Sequence, residues 1–236
     1  MRRVEEPAEQ ADSRATSYTT LAAVPDFRHE LEVRHSRFIT VLRRAGSEDE
    51  ARDLVAGLRR EFHDARHHCS AFVVGPDRTI QRSSDDGEPA GTAGIPMLEA
   101  LLKRETEPGV TDLSDVSAVV VRYFGGVLLG AGGLVRAYSE SVSAALDLAP
   151  LVRRSRRRIC SAAVPHAAAG RLENDLRAAG TVMAATSYQD RHTVLRIAVP
   201  DNAAAIAAAT DRVLQLTAGS ATLTPDGTEW VNEPLN

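Results

Sequence analysis

The chain contains few cysteines, few aromatic residues and no long apolar run. Cys69 and Cys160 are the only cysteines and lie far apart in the sequence, so no disulfide framework is expected and a reducing compartment is the simplest location. No segment approaches the ~18 consecutive apolar residues of a membrane span. Met1 to Ala15 also lacks the apolar core of a secretion signal. We therefore expect a cytoplasmic protein with no membrane partner.

The charge of the chain is weakly negative and unevenly distributed. The formal net charge is -4 at pH 7, which argues against a protein that coats nucleic acid by bulk electrostatics. Lys103 is the only lysine among 28 basic residues, so arginine carries nearly all of the positive charge. Residues 25–150 are net acidic, whereas residues 151–236 are slightly basic. Any anion-binding surface must therefore be local.

Composition and periodicity divide the chain into four segments. Residues 1–24 have too few large apolar side chains to pack and are predicted to be a disordered arm. Residues 25–150 alternate strand and helix patterns and are predicted to form a first domain. Residues 151–158 predict a basic linker, and residues 159–231 show the β-α-β-β-α-β order of a ferredoxin-like domain. The predicted fold class is α+β, with two domains.

A glycine-rich segment follows the strongest predicted strand and precedes a predicted helix. Its five glycines are Gly125, Gly126, Gly130, Gly132 and Gly133. Such a segment lets backbone N–H groups converge on a bulky or negative group, and the helix N-terminus adds free donors. Arg122 and Arg136 flank it with fixed charge, but it lacks the lysine of a Walker loop, and Val135 stands where a dinucleotide loop needs glycine. Either a binding surface or close helix–strand packing explains the glycines.

An acidic loop over residues 83–94 contains Asp85, Asp86 and Glu88. Three carboxylates so close together can hold a hard cation or act as an acid and base pair. They can also pair with arginines, such as Arg82 or the two that flank the glycines, and so order a long loop. Because the loop lacks the regular ligand alternation of a calcium site, the favoured interpretation is that the carboxylates order the loop.

No pattern in the chain predicts a catalytic group. The spacing His63-x-x-x-His67-His68-Cys69 suggests zinc, but a structural zinc site needs four ligands and no C-x-x-C pair is present. Serines 139, 141 and 143 lie on a predicted helix without a nucleophile elbow. We therefore assign no catalytic residue, no metal ligand and no cofactor.

The dense basic run of the predicted linker has two interpretations. It contains Arg153, Arg154, Arg156, Arg157 and Arg158. Repelling like charges are typical of a solvated linker. Five arginines between two domains can also dock on RNA phosphates, each contact adding salt-sensitive affinity.

Several blocks in a fixed order resemble the YigZ/IMPACT family. They are Ser36-Arg37-Phe38-Ile39, Ala65-Arg66-His67-His68-Cys69, Asp85-Asp86-Gly87-Glu88-Pro89 with Gly91-Thr92-Ala93-Gly94, and Arg122-Tyr123-Phe124-Gly125-Gly126 continuing to Gly130-Ala131-Gly132-Gly133-Leu134-Val135-Arg136-Ala137-Tyr138. The resemblance covers about residues 30–150. The second domain matches only weakly, because Pro165-His166 stands where the family often has an Asp-Tyr pair.

The resemblance implies a fold and a general role. The first domain of the family is similar to domain IV of elongation factor G, and the second domain of its bacterial members is similar to domain V. The eukaryotic members of the family regulate translation by binding a protein that activates a stress kinase. For this chain it implies a non-enzymatic binding protein whose partner is RNA, the ribosome or a translation-associated protein. The implied binding face holds Arg66, His67, Arg122, the five glycines and Arg136. The alternative is a phosphate- or nucleotide-binding enzyme that uses the glycine segment and an acidic metal loop.

Overall fold

The protein is a mixed α/β chain in a computed structural model that describes residues 14–23 and 25–235. The described residues form ten strands and five helices. In chain order they are β1 Ser17–Leu21, β2 Phe27–Val33, β3 Ser36–Arg44, α1 Glu48–Glu61, β4 His67–Val74, β5 Ile80–Ser84, α2 Gly94–Lys103, β6 Val116–Tyr123, α3 Ala131–Leu148, β7 Leu151–Val164, α4 His166–Ala178, β8 Val182–Tyr188, β9 Thr193–Pro200, α5 Ala203–Leu216 and β10 Thr224–Pro234. They fall into two compact units: the first holds the described residues up to Arg154 together with residues 233–235, and the second holds Ser155–Asn232. No helix in the described ranges combines the length and apolar composition that a membrane span requires.

The first unit is built on an antiparallel sheet with the strand order β2-β3-β6-β4-β5. Helices α2 and α3 cover one face of this sheet and α1 covers the other. Helix α1 begins as the sequence predicts, because the Ser47 side chain accepts a hydrogen bond from the Glu50 N–H. The acidic carboxylates of its first turn and the arginines of its last turn also suit the helix dipole.

The central strand β6 is buried on both faces, as its continuous apolar run predicts. Val116, Ala118 and Val120 pack into the core beneath α2 and α3. Val119 and Val121 point to the opposite face and pack with α1. Because β6 lies in the middle of the sheet, the residues that follow it emerge at the end of a rigid strand.

The predicted disordered arm is wrong in the part that the structure describes. Residues 17–21 form β1, in which Tyr18 is 1% exposed and Leu21 is 3% exposed. The Tyr18 hydroxyl donates a hydrogen bond to the buried Asp115, whose other oxygen accepts from the Gly75 N–H at 2.9 Å. One aromatic ring and a buried carboxylate anchor this short strand, a contact that local composition does not reveal. Residues 1–13 and 24 of the predicted arm lie outside the described residues.

The second unit contains the predicted order β7-α4-β8-β9-α5-β10. Strand β9 lies between β7 and β8, and β10 pairs with β7. Helices α4 and α5 supply Leu172, Leu176 and Val213 to a core shared with Ile197 and Val199 of β9. This core is separate from those of the first unit.

The predicted basic linker is also wrong, because residues 151–158 belong to strand β7. All five arginines are half-buried, and four of them lie against acidic groups. Arg153 pairs with Glu107, and Arg154 donates to the Tyr18 hydroxyl at 2.9 Å and lies 3.6 Å from Asp115. Arg156 and Arg158 both pair with Asp201, at 3.1 and 2.8 Å, and Arg157 is half-buried in the same strand. Carboxylates distant in sequence neutralise the run, which a local charge count cannot foresee.

Candidate functional site

The acidic loop is ordered by backbone donors at Asp85. One carboxylate oxygen accepts hydrogen bonds from the N–H groups of Ala93 and Gly94 at 3.0 and 2.8 Å, and the other accepts from Gly91 at 2.8 Å. Burial alone would raise the pKa of Asp85, but the amides of Gly91, Gly94 and Ala93 outweigh it and lower the pKa below its usual value. The Asp85 carboxylate therefore holds the loop closed in its ionised form.

Asp86 ties the same loop to the start of β4 and to α1. Its carboxylate accepts the His68 N–H at 2.6 Å and pairs with Arg59 at 2.5 Å. Its backbone carbonyl lies 2.9 Å from Nδ1 of His67. Asp86 has a positive φ of 43°, an unfavourable conformation for a residue with a side chain. These three contacts stabilise that conformation.

Glu88 forms a buried ion pair with Arg122. The carboxylate lies 2.6 Å from the guanidinium, and the two side chains are only 4% and 7% exposed. The guanidinium also lies over the rings of Phe38 and Phe124, at 5.4 and 5.8 Å from their centroids. Arg122 was predicted to contact a partner, but its burial removes it from the exposed surface.

Two further buried side chains extend this ion pair into a network. The Tyr138 hydroxyl donates to Glu88 Oε1 at 2.8 Å, and Cys69 Sγ lies 3.3 Å from that hydroxyl and 2.9 Å from the Asp85 carbonyl oxygen. Burial raises the pKa of Cys69 to about 12 and also raises that of Tyr138. The network therefore joins the acidic loop to α3 through neutral hydroxyl and thiol groups.

Gly125 has a packing role. A Cβ at this position would lie 2.0 Å from the His35 carbonyl carbon and oxygen. His35 and Arg34 form the turn between β2 and β3, with φ values of 66° and 48°. The Gly125 N–H also donates to the Ser36 hydroxyl at 3.2 Å. Only glycine lets the chain that leaves β6 pass this close to the turn.

The other loop glycines face open space. An added Cβ at Gly126, Gly130 or Gly132 would meet no atom within 4 Å, whereas one at Gly133 would lie 3.0 Å from the Leu129 Cβ. Helix α3 begins just after Gly130, and no side chain caps its first turn. The first amides of α3 therefore lie beside an open backbone surface.

Arginines and apolar side chains surround this surface. Arg66 and Arg136 are exposed, and neither has an ion-pair partner in residues 14–23 and 25–235. Arg136 only donates its Nε–H to the Gly132 carbonyl, at 3.3 Å. Phe124 is 52% exposed and Leu128 is 82% exposed. Because His67 pairs with Arg122 in the sheet, Arg66 lies at the same sheet end as the glycine segment.

The predicted site residues thus separate into two groups. The open surface holds Gly126, Gly130, Gly132, Arg66 and Arg136, and we call these residues with Phe124 and Leu128 the glycine–arginine face. The interior support holds Asp85, Asp86, Glu88, Arg122, Gly125 and half-buried His67. Neither Arg82 nor Arg136 pairs with the three carboxylates in the described ranges; Arg82 lies 3.5 Å from Glu48.

The three carboxylates that would form an acidic metal loop are already bonded to protein groups. Asp85 accepts three amides, Asp86 accepts an amide and a guanidinium, and Glu88 accepts Arg122 and Tyr138. Across the part of the chain that is described, no group of three or more histidine, cysteine or acidic residues is arranged to hold a metal ion. This excludes His63, His67, His68 and Cys69 as a clustered set in this conformation.

The positions of several of these residues depend on the tertiary fold. The exposure of Phe124 and Leu128 is decided by how the loop leaves β6, and an apolar residue beside a strand is normally expected in the core. Tyr138 lies four residues from Leu134, and both are buried. This i, i+4 spacing is a signal that would have placed the tyrosine on the inner face of α3. Arg59 carries no comparable signal, because its partner is 27 residues away.

The chain is similar to known proteins of one family. The Impact N-terminal domain family model matches residues 34–146. "IMPACT family member YvyE" of Bacillus subtilis is 43% identical over 162 residues, which cover 69% of this chain and 71% of that protein. "IMPACT family member YigZ" of Escherichia coli is 50% identical over 117 residues, or 49% of this chain and 54% of that protein.

A solved structure extends the similarity across both units. A crystal structure of a hypothetical protein superposes with a TM-score of 0.57 at 35% sequence identity and covers 88% of this chain and 96% of its own. The matched family segment contains the acidic loop, the buried ion pair and the glycine segment. The chain belongs to the IMPACT family.

Proposed function

We propose that the protein is a non-enzymatic, cytoplasmic binding protein that contacts RNA of the translation machinery through the glycine–arginine face. The observation that carries this proposal is that two arginines are exposed, Arg66 at this end of the sheet and Arg136 in α3, while the open backbone of Gly126, Gly130 and Gly132 lies between β6 and the first turn of α3. Guanidinium groups and free helix amides both bind phosphate oxygens. Phe124 offers an exposed ring on which an unpaired base can stack.

The buried network supports this role by holding the face rigid. The ion pair between Glu88 and Arg122 lies directly before the glycine segment, and Tyr138 of α3 is bonded to the same carboxylate. The strand before the loop and the helix after it are therefore both bonded to the Glu88 carboxylate. A surface fixed in this way loses little conformational entropy when it binds.

The topology of the second unit supports the fold that we propose. In the second unit the order β7-α4-β8-β9-α5-β10 and the strand order β10-β7-β9-β8 are those of a ferredoxin-like domain. We assign the first unit to the type of elongation factor G domain IV and the second to that of domain V. A regulator of translation built from these parts would contact the ribosome.

Ribosome co-sedimentation at about 50 and 200 mM salt tests this proposal. The wild-type protein is expected in the ribosomal fraction at low salt and to dissociate at high salt. The Arg66→Gln and Arg136→Gln variants should bind more weakly, and each should reduce the salt dependence by about one counterion. Arg212→Gln is the matched control, because Arg212 is an exposed arginine on α5 of the second unit. Absence of the wild-type protein from ribosomes and from ribosomal RNA at low salt would refute the proposal.

A further inference from the structure

Two aromatic rings are stacked on the second unit, where α4 begins and β8 ends. The ring of His166 and the ring of Tyr188 are 6.4 Å apart between centroids, and their planes differ by 25°. Tyr188 is 76% exposed. A large aromatic side chain is usually buried, because its ring carries substantial apolar area. We call this pair the aromatic platform.

A buried hydroxyl holds the platform in place. Thr193 pairs with Tyr188 across β8 and β9 and with Val164 across β7 and β9. It is fully buried, and its Oγ1 lies 2.9 Å from Nδ1 of His166. His166 is the first residue of α4, two residues after the end of β7. The sheet therefore positions the His166 ring and the backbone of Tyr188 before any partner binds, which lowers the entropy cost of binding.

A polar turn adjoins the platform. In the turn, the Gln189 N–H donates to the His192 carbonyl at 2.9 Å. Residues 189–192 line an open depression of about 470 Å³. Arg191 is exposed in this turn and has no ion-pair partner in the described ranges. A permanently charged guanidinium group thus lies three residues along the chain from Tyr188.

We infer that the aromatic platform binds an unpaired base of a single-stranded nucleic acid, with the adjacent phosphate on Arg191. Every base has a π-face, so an open ring surface beside a cation accepts single strands without needing a specific hydrogen-bond pattern. The adjoining turn consists of glutamine, aspartate, arginine and histidine. That composition differs from the apolar centre of a protein–protein interface. The same chemistry suits RNA and DNA, and the experiment distinguishes the two.

The test uses the full chain and labelled oligouridine and oligothymidine of about 12 nucleotides, with binding followed by fluorescence anisotropy. Tyr188→Ala is expected to weaken binding about 5- to 150-fold, the factor that corresponds to loss of one stacked base. Tyr188→Phe keeps the ring and should bind within about twofold of wild type. Arg191→Gln should reduce the slope of log affinity against log salt by about 0.7. Arg212→Gln, on α5 of the same unit, should leave binding by the platform unchanged.

The outcomes separate this inference from the proposed function. If Tyr188→Ala weakens oligonucleotide binding and the Arg66→Gln and Arg136→Gln variants do not, the result supports binding at the aromatic platform and contradicts RNA binding by the glycine–arginine face. If Tyr188→Ala binds both oligonucleotides as tightly as wild type does, or if the wild-type protein binds neither at low salt, the inference is overturned. Stronger binding of oligouridine assigns the site to RNA, and stronger binding of oligothymidine assigns it to DNA. Circular dichroism melts check that Tyr188→Ala is folded.

Discussion

Replacing Glu88 by glutamine should destabilise the first unit by about 3–5 kcal/mol, the cost of breaking a buried ion pair. Glutamine has the same shape and keeps an oxygen that can accept from Tyr138, so the main loss is the negative charge that faces Arg122. Both side chains of the pair are more than nine-tenths buried. The Nε of Arg122 already has no acceptor in the described residues, which leaves little spare capacity to solvate the guanidinium.

Hydrogen exchange of β6 measures this effect within the first unit. A loss of 3 kcal/mol corresponds to at least ~100-fold faster exchange of peptides from Val116–Tyr123. Peptides from Thr193–Pro200, in the second unit, provide an internal reference. A matched control is Glu99→Gln, which breaks the exposed pair with Lys103. Exposed helix pairs of this kind contribute about 0.3–0.5 kcal/mol.

A double variant separates charge burial from other effects. Glu88→Leu combined with Arg122→Met removes both charges and should recover most of the lost stability, because a buried ion pair can often be replaced by apolar side chains of similar volume. If Glu88→Gln changes the hydrogen exchange of β6 no more than Glu99→Gln does, the buried ion pair does not stabilise the first unit as predicted. The prediction also fails if the double variant is less stable than Glu88→Gln alone.

Three further predictions follow from local geometry. Gly125→Ala should abolish soluble folded protein, since its Cβ would lie 2.0 Å from the backbone of His35. Gly126→Ala lies in open space with φ +86°, so in urea unfolding it should lower the free energy of unfolding by only about 1–2 kcal/mol. Equal effects of the two variants would contradict this prediction. Because the pKa of Asp85 is lowered in the folded state, its carboxylate stabilises the protein above pH ~4, and this contribution is lost as the pH falls through the folded-state pKa. Asp85→Asn should therefore make the free energy of unfolding depend less steeply on pH in the acid range. An unchanged pH dependence would contradict this prediction. Burial raises the pKa of the Cys69 thiol to about 12, so this thiol should resist iodoacetamide at pH 8 in the native protein and react after denaturation. Mass spectrometry of the peptide that contains Cys69 measures the labelling. Labelling of the native protein would show that the buried network opens.

Local sequence patterns were sufficient for the helices and for the central strand. The capping pair Ser47 and Glu50, and the unbroken apolar run of β6, act through neighbours on the same element. Their effects are decided by hydrogen bonds and side-chain periodicity over a few residues. The motif blocks around the acidic loop and the glycine segment likewise identified the family, which the comparisons confirm.

The parts that local patterns misjudged depend on long-range pairing. The predicted arm became β1 because Tyr18 meets Asp115, and the predicted linker became part of β7, where Arg156 and Arg158 meet Asp201. In both cases a charged or polar group finds its partner tens of residues away. A local count of charge or hydrophobicity contains no information on that distance.

The sequence by itself determined the five helices, the central strand, the family and the short list of polar loop residues. Only the tertiary structure decided which of them lie on the surface: it buries Arg122 against Glu88 and leaves Arg66 and Arg136 exposed, although all three are arginines beside family motifs. The physical reason is that a guanidinium can be buried only where a carboxylate meets it, and the fold brings Glu88 to Arg122 across 34 residues of chain.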